Sequence, residues 1–174
     1  MFSYFVNRYF DVRFTTHDST IPRFHYIWLC HMKLVEPYSP EEYKEYFKTR
    51  WELLRKPEGF PKGSEIDDYE NISLHLMAVE DKVIIGVGRL TYFSNGEGQV
   101  RYMAVKEEFR NKFIGSKILQ YLEQEAINLG LKKIFLNARE NALSFYRNNG
   151  FKETGKPFKG FAGIEHIRME KKLT

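Results

Sequence analysis

The residues best placed to do chemistry lie in one basic turn. Val100-Arg-Tyr-Met-Ala-Val105 is rich in strand formers, Lys106–Phe109 follows, and Arg110-Asn-Lys-Phe-Ile-Gly-Ser116 opens a long amphipathic stretch. A strand that runs through such a turn into a helix presents the first N–H groups of that helix, which have no internal partner, at the positive end of its dipole. Gly115 lets the backbone approach a ligand closely, and Arg110 and Lys112 add charge. Together these features make an anion site suited to a pyrophosphate. The same residues also fit a plain strand–turn–helix with solvated basic side chains. A phosphate-binding P-loop is a poor match, because Gly115-Ser116-Lys117 has the wrong order and no upstream glycine. The dinucleotide fingerprint needs three spaced glycines where one stands here.

Two other groupings carry less. His17, His25, Cys30 and His31 follow no zinc spacing, so no metal is expected. Cys30 is the single cysteine, which excludes an intramolecular disulfide. Arg8, Arg13, Arg23, Tyr4, Tyr9 and Phe14 would suit single-stranded nucleic acid. An N-terminal extension of uncertain structure over residues 1–31 is the simpler reading, and nucleic acid is not expected as a partner.

The elements that position the basic turn are regular from Lys33 onward. Ser39 can cap a first helix, with Pro40 at its first position and Glu42 completing a capping box. Tyr43, Phe47, Trp51 and Leu54 then recur at helical spacing, and Pro57 and Gly59 stop the run. Residues 57–68 read as a loop over one face. Ile72–Glu80 and Val83–Tyr92, separated by Asp81-Lys82, predict a hairpin. Asn95–Gly98 turns into a strand over Gln99–Val105. Ile114, Ile118, Leu122, Ala126 and Leu129 predict a helix from about Asn111 to Leu129, closed by Gly130. Lys133–Ala138 is a short strand, Asn141–Asn149 a helix, and Phe151–Thr154 and Ile164–Lys171 the last strands. Antiparallel strands followed by a strand–helix–strand unit predict an α/β fold with a mixed, mostly antiparallel sheet and helices on both faces.

At 174 residues, with 43 % apolar and 29 % charged residues, the chain has the length of one globular domain. A net charge of +4 favours an anionic ligand only weakly. No apolar run is long enough for a membrane span, and residues 1–8 form no signal-peptide core. A cytoplasmic protein, with a homodimer admissible, is the expectation.

The basic turn resembles the coenzyme-A loop of the GNAT superfamily of N-acetyltransferases, Arg/Gln-x-x-Gly-x-Gly/Ala at a helix start. Arg110 and Gly115 match the first and last positions, and Phe113 stands where the middle glycine is usual. A position that requires φ > 0 would strain phenylalanine; one that requires only a free N–H would accept it. The resemblance implies coenzyme contacts from Arg110, Asn111, Lys112, Phe113, Ile114, Gly115 and Ser116, with Met103, Ala104 and Val105 along the pantetheine arm. Asn141-Ala-Leu-Ser-Phe-Tyr146-Arg-Asn-Asn-Gly150-Phe151 resembles a second segment of that superfamily, in which the tyrosine sits near the coenzyme sulfur. The resemblance thus makes Tyr146 the general acid for a departing thiolate, although a half-buried core tyrosine also fits. Asn141 either bonds the coenzyme arm or caps its helix. Gly163-Ile-Glu-His166-Ile-Arg-Met169 resembles the last strand of a bacterial branch of the superfamily. That branch also carries an arginine on its first helix, matched by Arg50 or Arg55, and a Gly-Arg-Leu strand end, matched by Gly88-Arg89-Leu90.

The resemblance spans about 33–173 and assigns residues 32–174 to one acyltransferase domain. It implies acetyl-CoA as co-substrate and a primary amine as acceptor. An amine must be deprotonated before attack, so a base is needed. His75, His166, Glu65 and Asp67 are the candidates, and Asn137, Arg139 and Arg89 are candidates for the acceptor side. A catalytically silent coenzyme-A-binding module is the alternative that Phe113 leaves open.

Overall fold

The structure, a computed structural model, describes residues 32–173. Its strands are β1 (Lys33–Val35), β2 (Ser73–Glu80), β3 (Val83–Tyr92), β4 (Glu97–Val105), β5 (Lys133–Arg139), β6 (Lys152–Glu153), β7 (Phe158–Lys159) and β8 (Glu165–Lys172). The helices are α1 (Pro40–Leu54), α2 (Ile114–Asn128) and α3 (Leu143–Asn148). The sheet runs β1-β2-β3-β4-β5-β8-β6, with β7 also on β8. Among the described residues only β4 and β5 pair in parallel, and α2 is the crossover that joins them. The expected mixed, mostly antiparallel sheet is therefore present; β7, two residues long, is a strand the sequence reading did not contain.

Local chemistry explains the element ends. Ser39 Oγ accepts from Glu42 N–H (3.2 Å) and Glu42 Oε2 from Ser39 N–H (3.1 Å), the reciprocal capping box. Asp81 and Lys82 both take positive φ (47° and 65°), as a two-residue hairpin with right-handed strand twist requires. Gly130 closes α2 in the left-handed region (φ 71°). α2 starts at Ile114 and not at Asn111, because Asn111 (φ 59°) and Phe113 (φ 60°) interrupt helical geometry. α3 starts at Leu143, after a 3-10 turn over Glu140–Ala142.

The helices occupy opposite faces. α2 buries Ile114, Ile118, Leu122 and Ala126 in the main core with Leu76, Ile85, Leu90, Ile134 and Met169, while Leu129 stays exposed. The helix lies directly on the β3 backbone: a Cβ on Gly88 would meet Ile118 Cγ2 at 2.7 Å. On the other face, α1 buries Tyr46, Thr49 and Arg50, and Tyr46 packs with Met77 and Val87. The expected apolar stripe Tyr43, Phe47, Trp51 and Leu54 is only half-buried. Beside that apolar cluster, the same face of the sheet carries buried charged residues, as described next.

Candidate active site

β4 and β5 pair only at Glu97↔Lys133, Gly98↔Ile134 and Gln99↔Phe135. Both strands continue, β4 to Val105 and β5 to Arg139, so a gap opens between them toward their C-terminal ends. A bulge marks the start of the gap. Between Val87↔Ala104 and Arg89↔Arg101, β4 carries one residue more than β3, and Tyr102 takes φ 52°. Tyr46 donates its hydroxyl to Gly88 C=O on the strand facing the bulge (3.0 Å). Past the bulge, Lys106 N–H donates to Ile85 C=O on β3 (2.9 Å). N–H groups alternate sides along a strand, so Val105 N–H is directed into the gap. Met103 and Val105 pack on the main core and Ala104 on the α1 side, so the free feature of this segment is its backbone edge.

The basic turn stands at the end of that edge. Arg110 is exposed and donates from Nε to Val105 C=O (3.3 Å). The first bond of α2 runs from Lys117 N–H to Phe113 C=O (3.0 Å), which leaves the N–H groups of Ile114, Gly115 and Ser116 without a backbone acceptor among the described residues, and the side chain at the N-cap position makes no capping bond. Positive φ at Asn111 and Phe113 flanks Lys112, a backbone alternation that forms anion-binding concavities. Phe113 thus holds the left-handed conformation for which glycine is usual, at a cost of about 1 kcal/mol. The φ of Gly115 is not left-handed, and a Cβ there would meet the Phe145 ring at 3.3 Å, so its small size also seats α2 against α3.

Tyr146 lies on α3, half-buried, in edge contact with Phe145 (5.0 Å) and Phe151 (5.9 Å). Burial pushes its phenol up to about 12, so it is a neutral donor at physiological pH. Asn141 is exposed in the 3-10 turn, and α3 has no side-chain cap; the capping role weighed for it is absent. Asn137 is exposed on β5. Opposite Arg139 on β8 is His166, whose Nδ1 lies 2.7 Å from Ile164 C=O. That carbonyl can only accept, so in the neutral ring Nδ1 is the protonated nitrogen and Nε2 the one with the lone pair.

The other base candidates stand differently. His75 is buried on β2, two strands from the gap. Its Nε2 donates to Glu70 C=O (3.0 Å), and burial lowers its pKa. It lines an open cavity of about 440 Å³ with Tyr43, Phe47 and Glu70. Glu65 accepts from Gly63 N–H (2.8 Å). Asp67 is saturated: it accepts from Arg89 Nη1 (2.7 Å) and Nη2 (3.0 Å), Arg101 Nη1 (2.9 Å), Tyr102 Oη (3.1 Å) and Tyr69 N–H (3.0 Å). Burial alone would raise its carboxyl, but the Arg89 bonds, Tyr69 N–H and the Arg101 charge outweigh that and hold it at about 2. Such a group has no lone pair to spare for an incoming proton.

Asp67 belongs to a charged network that the sequence reading did not assemble. Arg50 and Arg89 are both fully buried. Arg50 pairs with Glu70 through two bonds (2.9 and 3.0 Å) and also donates to Glu65 C=O. Arg89 adds Glu70 (2.8 Å) to Asp67. Its position is mid-strand, paired with His75 on β2, and not at a strand end. The Tyr102 ring lies under Arg50 at 3.5 Å. The loop after α1 is thereby fixed to the bulge. It also meets the far side of the gap, where Phe60 contacts Phe161 (4.6 Å) and Glu58 pairs with Arg139 (2.7 Å). One sequence signal existed: Arg50 lies four residues after Tyr46, on the same face of α1.

The site is thus an α/β sheet splayed between two parallel strands, with the start of a helix at the end of the splay. Comparison with known proteins identifies the family. Residues 38–173 match the Acetyltransferase (GNAT) domain. The chain is 31 % identical over 140 residues to the uncharacterised N-acetyltransferase YjcF of Bacillus subtilis (strain 168), covering 80 % of this chain and 99 % of that one. An N-acetyltransferase structure from Lactobacillus plantarum superposes with a TM-score of 0.73 at 19 % identity, covering 82 % and 99 % of the two chains. A GNAT family acetyltransferase from Elizabethkingia anophelis, solved with acetyl-CoA bound, gives 0.63 at 21 % identity over 82 % and 99 %. The chain belongs to the GNAT acetyltransferase family and is an acyltransferase. Among the described residues no helix is long and apolar enough to cross a membrane. His17, His25, Cys30 and His31, with the rest of residues 1–31, lie outside the described residues.

Proposed function

We propose that the protein transfers an acetyl group from acetyl-CoA to a primary amine, with the coenzyme held along the β4 edge and at the start of α2. The observation that carries this reading is the open backbone at that corner: Val105 N–H facing the gap and the Ile114–Ser116 N–H groups, which have no acceptor among the described residues. Helix-start N–H groups and the exposed Arg110 suit a pyrophosphate. Asn111, Lys112 and Phe113 shape the turn, and Asn141 is within the segment expected to meet the coenzyme arm. Acetyl-CoA supplies an acyl thioester, whose transfer to an amine releases a thiol.

The chain's own groups then have distinct tasks. Val105 N–H stabilises negative charge on a carbonyl oxygen placed in the gap. Tyr146 donates its phenolic proton to the departing sulfur. A phenol raised by burial is a weak acid, but the same desolvation raises the thiol it serves, so donation remains feasible within the closed site. His166 Nε2 accepts the proton that the attacking nitrogen loses, while Asn137 and Arg139 line the acceptor side. His75, Arg89 and Asp67 support the scaffold of this site without entering the chemistry.

The test is thiol release from acetyl-CoA across a library of primary amines, with Tyr146→Phe beside the wild type. Amine-dependent thiol release, lowered about 10–1000-fold in folded Tyr146→Phe, supports the assignment. Coenzyme binding without turnover on every amine favours the silent-module alternative.

A further inference from the structure

The buried arginines on the α1 face are not equivalent. Arg50 has Glu70, and Arg89 has Asp67 and Glu70. Arg55, at the end of α1, is 7 % exposed, yet among the described residues no carboxylate lies within ion-pair distance of it. Its Nε donates to Ser64 C=O (3.0 Å) and its Nη1 to Leu54 C=O (3.4 Å). Its guanidinium lies 3.8 Å from the Phe161 ring centre and 5.2 Å from that of Tyr102. Glu65, in the same loop, is turned to Gly63 N–H instead.

A guanidinium so far removed from water is costly unless an opposite charge compensates it. Carbonyl dipoles and ring faces offset part of that cost, and burial is the main influence on the group, lowering its pKa. The position matters as much as the charge. Tyr102, beside Arg55, is the bulge residue three positions before Val105, whose N–H faces the gap. Phe161, on Arg55's other side, belongs to the Phe60–Phe161 contact that spans from the α1 loop to the β8 side. An unbalanced buried cation therefore borders the space where an acceptor must lie.

We infer that Arg55 binds an anionic group of the acceptor, so that the acceptor is an amine that also bears a carboxylate. This rests on the acetyltransfer reading for the word acceptor, but the binding itself is measurable without turnover. With Nε on Ser64 C=O and Nη1 on Leu54 C=O, the guanidinium offers an anion its charge and its remaining Nη hydrogens, which suit a carboxylate. A phosphate satisfies the same donors, and the test separates the two.

The probes are matched pairs that differ only in the anion: glycine and glycinamide, 4-aminobutanoate and 4-aminobutanamide, phosphoethanolamine and ethanolamine. Each is titrated calorimetrically into the full chain, with and without coenzyme A. The carboxylate member of at least one pair is expected to bind about tenfold or more tightly than its amide, as for one charge-assisted contact. Arg55→Gln should abolish that ratio, and Arg55→Lys should retain a fraction of it, since it keeps the charge but loses the Nη hydrogens. If Arg55→Gln does not fold, Arg55→Lys decides alone. Equal binding within every pair, no measurable binding of any anionic member, or a ratio that survives the substitution overturns the inference. Discrimination confined to the phosphate pair replaces carboxylate by phosphate. Thiol release on the same pairs keeps the two readings apart. Discrimination without turnover on any amine leaves Arg55 as an anion site and removes the acetyltransfer; turnover without discrimination does the reverse.

Discussion

Replacing Asp67 by asparagine removes one charge and almost no volume, and its effect follows from the network. Holding the Asp67 carboxyl at about 2 instead of the ordinary 3.8 corresponds to about 2 kcal/mol of folding free energy at neutral pH. Screening at a side chain that is 21 % exposed reduces this to about 1–2 kcal/mol. The variant also leaves the fully buried Arg89 with Glu70 as its sole carboxylate, and an uncompensated buried charge adds to the loss. Asp67→Asn should therefore destabilise the protein by about 2–3 kcal/mol at pH 7. The sign of the pH dependence is fixed by the depressed carboxyl. The stabilisation is complete above the unfolded value, declines as pH falls through 4, and is gone below the folded value near 2. Urea unfolding of wild type and variant at pH 7 and pH 3 measures it, and the ionic part of the gap should fall by about half at pH 3. A gap below about 0.5 kcal/mol at pH 7, or a gap unchanged at pH 3, would refute the claim that this carboxylate anchors the loop.

Three further outcomes are expected. Gly115→Glu should block acetyl-CoA binding, but its side chain starts 3.3 Å from the Phe145 ring; Gly115→Ala should therefore cost about 1 kcal/mol or less of stability in urea unfolding and keep most coenzyme affinity. Tyr146→Phe should change coenzyme affinity by less than about 1 kcal/mol in calorimetry while lowering turnover, and equal losses of both would make Tyr146 a wall of the site. Deleting residues 1–31 should leave a protein that acetyl-CoA still stabilises thermally, because Met32, 3 % exposed, already packs in the main core; aggregation of that variant would contradict it.

Features set by neighbouring residues were legible in the sequence. The Ser39–Glu42 box, the Asp81-Lys82 turn, the Ile114–Ala126 stripe and the Gly130 stop depend on contacts within a few positions, and all are present. The turn before α2 was legible as a site but not in its conformation. Phe113 left two backbone states open, and the structure adopts the left-handed one. What stayed hidden depends on long-range contacts. Arg50 and Arg89 were legible only as matches to a family pattern, with Arg89 a candidate for the acceptor side; their partners lie 20 and 22 residues away across the loop, and pairing brings all of them inside. Asp67 looked like a base for the same reason, since nothing local reveals that five donors occupy it. β7 has two residues, too few for any alternation to register.

Titration of acetyl-CoA into the full chain by calorimetry, with Arg110→Ala as the comparison, tests the coenzyme site most directly. The account predicts one binding site in the wild type, weakened by about 1–2 kcal/mol when the single charge-assisted contact from Arg110 is lost. Absence of binding heat in the wild type, or full affinity in folded Arg110→Ala, would contradict a coenzyme held at the start of α2.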